Sequence, residues 1–191
     1  VVERMTGSGH RGGIVSMRFD PKGPRLATGG IHDLQAIIWD TATGRSIRQL
    51  KHPTTNEQQE VSVGWSPDAS TLATGGGGGR VILWRTSTWQ QTATWAADTS
   101  LVLCVAFSPD GSLLAAGGAG DRSVTLWDVA NRKLVGRLPH PIFVSSVAFD
   151  PAGRTLATSA FDDKVRLWDL ASLRQIGPAL PGAENGSGTN A

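Results

Sequence analysis

The first residues to question are histidines that have a carboxylate in phase with them. His10 precedes Asp33 and His140 precedes Asp162, and an imidazole held by a carboxylate is a pairing that general acid–base catalysis uses. No serine or cysteine nucleophile travels with either pair, and the pairing recurs in separate parts of the chain, so a structural role is expected. The run Gly75 to Gly79 meets the glycine count of a phosphate loop, but it lacks the Lys-Ser/Thr that must follow one and reads as a hairpin turn. Cys104 lies in an apolar strand and is expected to be an inert core thiol. As the single cysteine it excludes an intramolecular disulfide framework. The four histidines are spread over separate units with no metal-ligand spacing, so neither a metal nor a cofactor is expected. Asn185-Gly186-Ser187 fits a glycosylation sequon in a polar tail and carries little weight.

What must position these residues is a repeat. Trp39-Asp40, Trp84-Arg85, Trp127-Asp128 and Trp168-Asp169 recur at spacings of 45, 43 and 41 residues. In phase with them come Phe19-Asp20-Pro21, Trp65-Ser66-Pro67, Phe107-Ser108-Pro109 and Phe149-Asp150-Pro151. Seven residues after each of those aromatics stand Leu26, Leu72, Leu114 and Leu156. Within one copy, Leu113 to Ala116, Ser123 to Asp128 and Lys133 to Leu138 read as short strands, as does Val144 to Phe149 opening the next. Ser108-Pro109-Asp110-Gly111 is a turn because Pro presets φ, Asp caps its own backbone and Gly accepts positive φ. No window holds a helical period. The fold class is therefore all-β, with four-stranded antiparallel units stacked in series as a β-propeller.

Over about residues 10 to 180 this pattern resembles the WD-repeat family, with Gly9-His10 opening the first copy and Trp39-Asp40 closing it. The resemblance implies blades at 10–51, 52–97, 98–139 and 140–181, an outer strand of a preceding blade at 1–9 and a polar tail at 182–191. It also implies a buried hydrogen-bonded tetrad of His, Asp, Ser/Thr and Trp in each blade, since a buried indole N–H needs an acceptor and a hydroxyl can relay to an imidazole. The first copy supplies His10, Thr28, Asp33 and Trp39, and the fourth His140, Thr158, Asp162 and Trp168. The second keeps Thr74 and Trp84, with Gly78 in the Asp place and His52 displaced by an insertion through Thr54 to Glu57. The third keeps Asp121 and Trp127, with Asp98 and Ala116 at the His and Thr positions. The first and fourth blades are thus expected to be the more rigid. Trp95 is expected to pack in the core, while Trp89 falls in a turn and is expected to be exposed, covering an apolar patch or meeting a partner.

The same resemblance implies a non-catalytic scaffold for protein–protein interaction, part of a larger multidomain protein, with partners docking at the narrow end of the ring. The positions carried over are Val15 and His32, Gln59, Leu101 and Leu103, and Phe143 and Phe161, with Gly13, Val61, Gly77, Gly120 and Ser145 beside them. The other readings are a regulatory module of a bacterial signalling kinase or nucleotide-switch ATPase and, behind it, a propeller enzyme, which would need convergent acids, bases or metal ligands on the loops. The charge balance, 18 Lys+Arg against 16 Asp+Glu, argues against a nucleic-acid partner. The longest apolar run, Leu101 to Phe107, is far short of the roughly 20 residues of a membrane helix. A cytoplasmic location is expected, with the start of the chain missing. Four repeats make an open arc. That arc reads first as a fragment of a longer propeller, second as half of an eight-bladed pair, and third as four blades closing alone.

Overall fold

Short segments rich in Val, Ile, Leu, Ala and Trp and bounded by Gly, Asp and Pro become strands, and many of them bury consecutive residues, so both faces of the sheet are covered. The computed structural model describes residues 9–53 and 60–182, and every regular element in them is a β-strand. The first blade is β1 (Ile14–Phe19), β2 (Arg25–Gly30), β3 (Gln35–Asp40) and β4 (Ser46–Lys51). The second is β5 (Ser62–Trp65), β6 (Thr71–Gly76), β7 (Arg80–Arg85) and β8 (Gln90–Ala96). The third is β9 (Val102–Phe107), β10 (Leu113–Gly118), β11 (Ser123–Asp128) and β12 (Lys133–Pro139). The fourth is β13 (Val144–Phe149), β14 (Thr155–Ala160), β15 (Lys164–Asp169), β16 (Arg174–Gln175) and β17 (Leu180–Pro181). Each sheet is an antiparallel meander in chain order.

One strand departs from expectation. Four-stranded units imply one outer strand in each blade, but that of the fourth is broken into β16 and β17, both paired to β15. Between them Gly177 takes φ +64° and Pro178 has no N–H to give, so the ladder cannot continue there. The outer strand expected at 1–9 falls almost wholly outside the described residues. So do Thr54 to Glu57, Gln59 and the sequon at Asn185.

The turn after each inner strand is pinned by a carboxylate. Asp110 accepts the Ser108 hydroxyl at 2.6 Å and the Ser112 backbone N–H at 3.0 Å, and Asp68 does the same with Ser66 and Ser70. These bonds, the Ser108 and Ser66 hydroxyls foremost, hold both carboxyls below the usual range. The glycine run ends in a hairpin with Gly78 and Gly79 at φ +68° and +66°. A Cβ on Gly79 would fall 1.8 Å from the Asp98 carbonyl oxygen.

Blades pack in sequence. One apolar cluster joins the first to the second, built on Ile38, Leu50, Val63 and Leu72. A second, on Leu83, Trp95, Val105 and Leu114, joins the second to the third. A third, on Leu126, Leu138, Val147 and Trp168, joins the third to the fourth. Among the described residues no such cluster joins the fourth blade back to the first. Truncating Leu114, which is fully buried, to Ala is expected to cost about 2–5 kcal/mol. Leu134→Ala, at a position 43% exposed on β12, should fall within about 0.5 kcal/mol of the parent in a urea titration followed by tryptophan fluorescence.

Candidate functional site

The histidine–carboxylate pairs are built by strand register. In the first blade β2 pairs with β3, which sets Thr28 two residues along from Leu26, the partner of Trp39, and hence on the same face, and the chain leading into β1 brings His10 over both. The Trp39 indole N–H donates to Thr28 Oγ1 at 2.8 Å, Thr28 Oγ1 lies 2.8 Å from His10 Nε2, and His10 Nδ1 lies 2.7 Å from Asp33 Oδ2. One tautomer satisfies every link: indole to hydroxyl, hydroxyl to Nε2, Nδ1–H to carboxylate. The His10 and Asp33 side chains are each only 2% exposed, so no substrate reaches them. The arrangement holds a loop to a blade and offers no open acid–base site.

The fourth blade repeats half of this. Trp168 donates to Thr158 at 3.0 Å and Thr158 lies 2.8 Å from His140 Nε2. Asp162, assigned above to this tetrad, is not on the histidine. It pairs with Arg166 through both guanidinium nitrogens, and His140 Nδ1 turns to the Leu138 carbonyl at 2.9 Å. The reason is one side chain: Arg166 stands across from Thr158 where the first blade has Ile37, and its planar fork takes both carboxylate oxygens. That bond holds Asp162 below the usual carboxylate range, and burial lowers His140. The sequence signal was present, an Arg two residues before the Trp.

The middle blades show what a missing member does. In the second, Trp84 donates to Thr74 at 3.0 Å. His52, despite the insertion that follows it, is buried at the tetrad end, its ring 3.2 Å from where a Cβ on Gly76 would lie. With Gly78 in the Asp place, neither ring nitrogen makes a well-formed hydrogen bond among the described residues. Burial pushes its pKa down to about 4, opposed weakly by backbone at Arg80 and Thr74. In the third blade Asp121, also assigned to a tetrad, pairs with Arg137 at 2.8 Å instead, because no histidine is there to take it. Asp98 fills the histidine's place and accepts backbone N–H groups of Ser100, Gly120 and Asp121. With Ala116 for Thr, the Trp127 indole N–H has no hydrogen-bond partner among the described residues, and the ring stacks on Trp95 at 5.0 Å and 5°.

The positions carried over for partner docking fall in three places. Val15, Leu103 and Ser145 line an open pocket of about 290 Å³ walled by residues of the four inner strands β1, β5, β9 and β13. His32, at φ +68°, lines a separate pocket with Arg11, Leu34 and Lys51. Phe143 and Phe161 meet edge to face at 6.4 Å on the loops bounding β13 and β14, exposed 41% and 61%. Leu101 is half-buried, bridged to Gly77 at the equivalent loop of the neighbouring blade. Cys104 packs against the third cluster with its thiol pushed up to about 12 by burial, which leaves no reactive thiolate. Trp89, expected to be exposed, is half-buried. It meets Trp65 edge to face at 6.2 Å, and the Arg25 guanidinium lies over both rings. Among the described residues no group of three or more His, Cys, Asp or Glu side chains is placed to hold a metal ion.

A family model for the WD domain, G-beta repeat, matches residues 2–40, 44–85, 89–128 and 132–169. The chain is similar to the WD repeat-containing protein SL1-17 of Schistosoma mansoni, 30% identical over 90% of this chain and 56% of that protein. It is similar to protein hir1 of Schizosaccharomyces pombe, 27% identical over 94% of this chain and 22% of the relative. It is also similar to cell division cycle 20.6, cofactor of APC complex, of Arabidopsis thaliana, 30% identical over 85% and 39%. The chain thus spans between about a fifth and just over half the length of these relatives. Their names lend no support to a bacterial kinase or nucleotide-switch module.

Two outcomes follow for the buried histidines. His10→Ala takes from the buried Asp33 carboxylate its shortest hydrogen bond, leaving it longer ones such as that from the Arg11 N–H at 3.1 Å, and should cost about 1–3 kcal/mol, more than His140→Ala, which deprives only a hydroxyl and a carbonyl of a partner. Equal urea midpoints for the two would break this account. His52 has its folded pKa below the ordinary 6.5, so the unfolded chain binds the extra proton. Its contribution is intact above pH 6.5, declines as pH falls from there towards 4, and levels off below, with a span of about 3 kcal/mol. His52→Gln should flatten that limb of the stability–pH curve.

Proposed function

The chain belongs to the WD40 repeat family, and from that premise we propose that it is a non-catalytic scaffold on which other proteins dock, forming part of a larger assembly. The observation that carries the reading is the Phe143–Phe161 pair. Two large aromatics, both exposed, are fixed to each other in an edge-to-face contact, and the Phe161 N–H bonds the Phe143 carbonyl at 3.0 Å. Rings already held in place lose little freedom on binding and bring large apolar area, which is how aromatic anchors dominate interfaces. Leu101 on the neighbouring blade extends the same end of the arc. The buried polar groups support a scaffold as well: the side chains that resemble catalytic pairs are spent on holding loops.

The relative named as a cofactor of the APC complex is consistent with a docking role, and this chain's own partner is proposed only as a protein with an apolar recess for the two rings. Phe143→Asp combined with Phe161→Asp is expected to abolish capture of partner proteins by the immobilised chain, with the urea midpoint within about 0.5 kcal/mol of the parent. An unchanged set of captured proteins would remove these rings from the docking surface.

A further inference from the structure

The turn between the third and fourth strands is fastened by a carboxylate in three of the four blades. Asp40 accepts the Ala42 and Thr43 N–H groups at 2.9 and 2.8 Å, Asp128 accepts that of Asn131 at 2.8 Å, and Asp169 accepts that of Ser172 at 2.8 Å. The second blade has Arg85 at this position. Its Thr88 and Trp89 N–H groups turn to the Arg85 carbonyl, and the Ser87 N–H has no acceptor among the described residues. A second departure from the repeat falls in the same kind of turn. The left-handed step there is taken by Gly44, Trp89, Arg132 and Leu173 in the four blades. Trp89 packs on the apolar cluster of the first junction and Leu173 on that of the third. Arg132, a cation, is no part of the cluster at the second, and an open pocket of about 390 Å³ lies there, lined in part by Leu83, Ala93 and Val129. Arg85, Ser87 and Arg132, all exposed, line it too, and no described carboxylate does. Neither guanidinium makes an ion pair or hydrogen bond among the described residues.

We propose that this pocket between the second and third blades binds an oxyanion, the phosphate or carboxylate of a side chain on a docking protein segment. Its oxygen takes the Ser87 N–H as the aspartates of the other blades take theirs, and guanidinium groups from two adjacent blades pair with the charge. The apolar part of the lining receives the stem of that side chain. A nucleic acid would call for a stripe of cations, and this lining holds two. The site lies at the opposite end of the strands from Phe143 and Phe161. It rests on the function proposed above only in that the partner is a protein, and it does not use the aromatic pair.

The test is a magnetic-resonance titration of the isotope-labelled 191-residue chain at fixed ionic strength. The probes are inorganic phosphate and the N-acetyl amides of phosphoserine, glutamate and serine. The Ser87 and Thr88 amides and the Arg85 and Arg132 Nε–H signals are expected to move with the phosphoserine or the glutamate derivative and to stay still with the serine one. Whichever of the two binds more tightly identifies the source of the anion. Arg85→Gln and Arg132→Gln should each weaken binding about tenfold or more. Arg174→Gln, at an exposed cation on β16, should leave it unchanged. Arg85→Asp installs the residue of the other three blades, so it should keep the far-ultraviolet spectrum and abolish binding, its own carboxylate on the Ser87 N–H. Five results would each overturn the proposal: no movement with any probe, movement with inorganic phosphate alone, shifts spread over the surface, an equal loss in Arg174→Gln, or binding that survives Arg85→Asp.

Discussion

Everything in this molecule depends on a sheet that has two apolar faces. A four-stranded antiparallel sheet can leave one face in water, but here both faces of the inner and middle strands carry Val, Ile, Leu and Trp. Such a sheet cannot stand alone, and it can be satisfied only by another like it on each side. Serial stacking follows, and with it three apolar clusters at junctions in place of one central core. The glycines in the second strands serve the same end, since they let the next blade's inner strand approach where any side chain would block it.

Polar side chains then fasten what packing alone leaves loose. The indole, hydroxyl and imidazole relay of the first blade crosses from a middle strand to the loop before the inner strand, so one buried chain of hydrogen bonds ties three segments. The other blades reach the same end by other means. Asp98 gathers three backbone N–H groups where a histidine is missing, and Arg166 takes Asp162 and leaves His140 to a carbonyl. The loop needs an anchor, and several side chains can supply one.

Much of this was legible in the residues. The fixed distances from Phe or Trp to Leu and on to Trp located all four sheets, because strand length and turn chemistry repeat with them. The first-blade relay could be named residue by residue. What escaped was competition between partners. That Asp162 and Asp121 choose Arg166 and Arg137 depends on which side chains face each other across a ladder, and spacing to a single motif residue does not carry that. The placement of Trp89 escaped for a similar reason: its turn position suggested exposure, while Trp65 and Arg25 of other strands draw it down. The split outer strand of the last blade is readable in Gly177-Pro178, which interrupt the ladder whatever the repeat implies.

That split has a consequence for how the arc loosens. At the first blade β4 pairs along β3 from Gln35 to Trp39, so its outermost amides are locked. At the last blade β15 holds only two residues of β16 and two of β17, with the Ile176 N–H as a single further tie between them. The outer edge of the fourth blade is therefore tied at fewer points than that of the first. Amide protons along the middle of β15 should exchange with solvent sooner than their counterparts in β3.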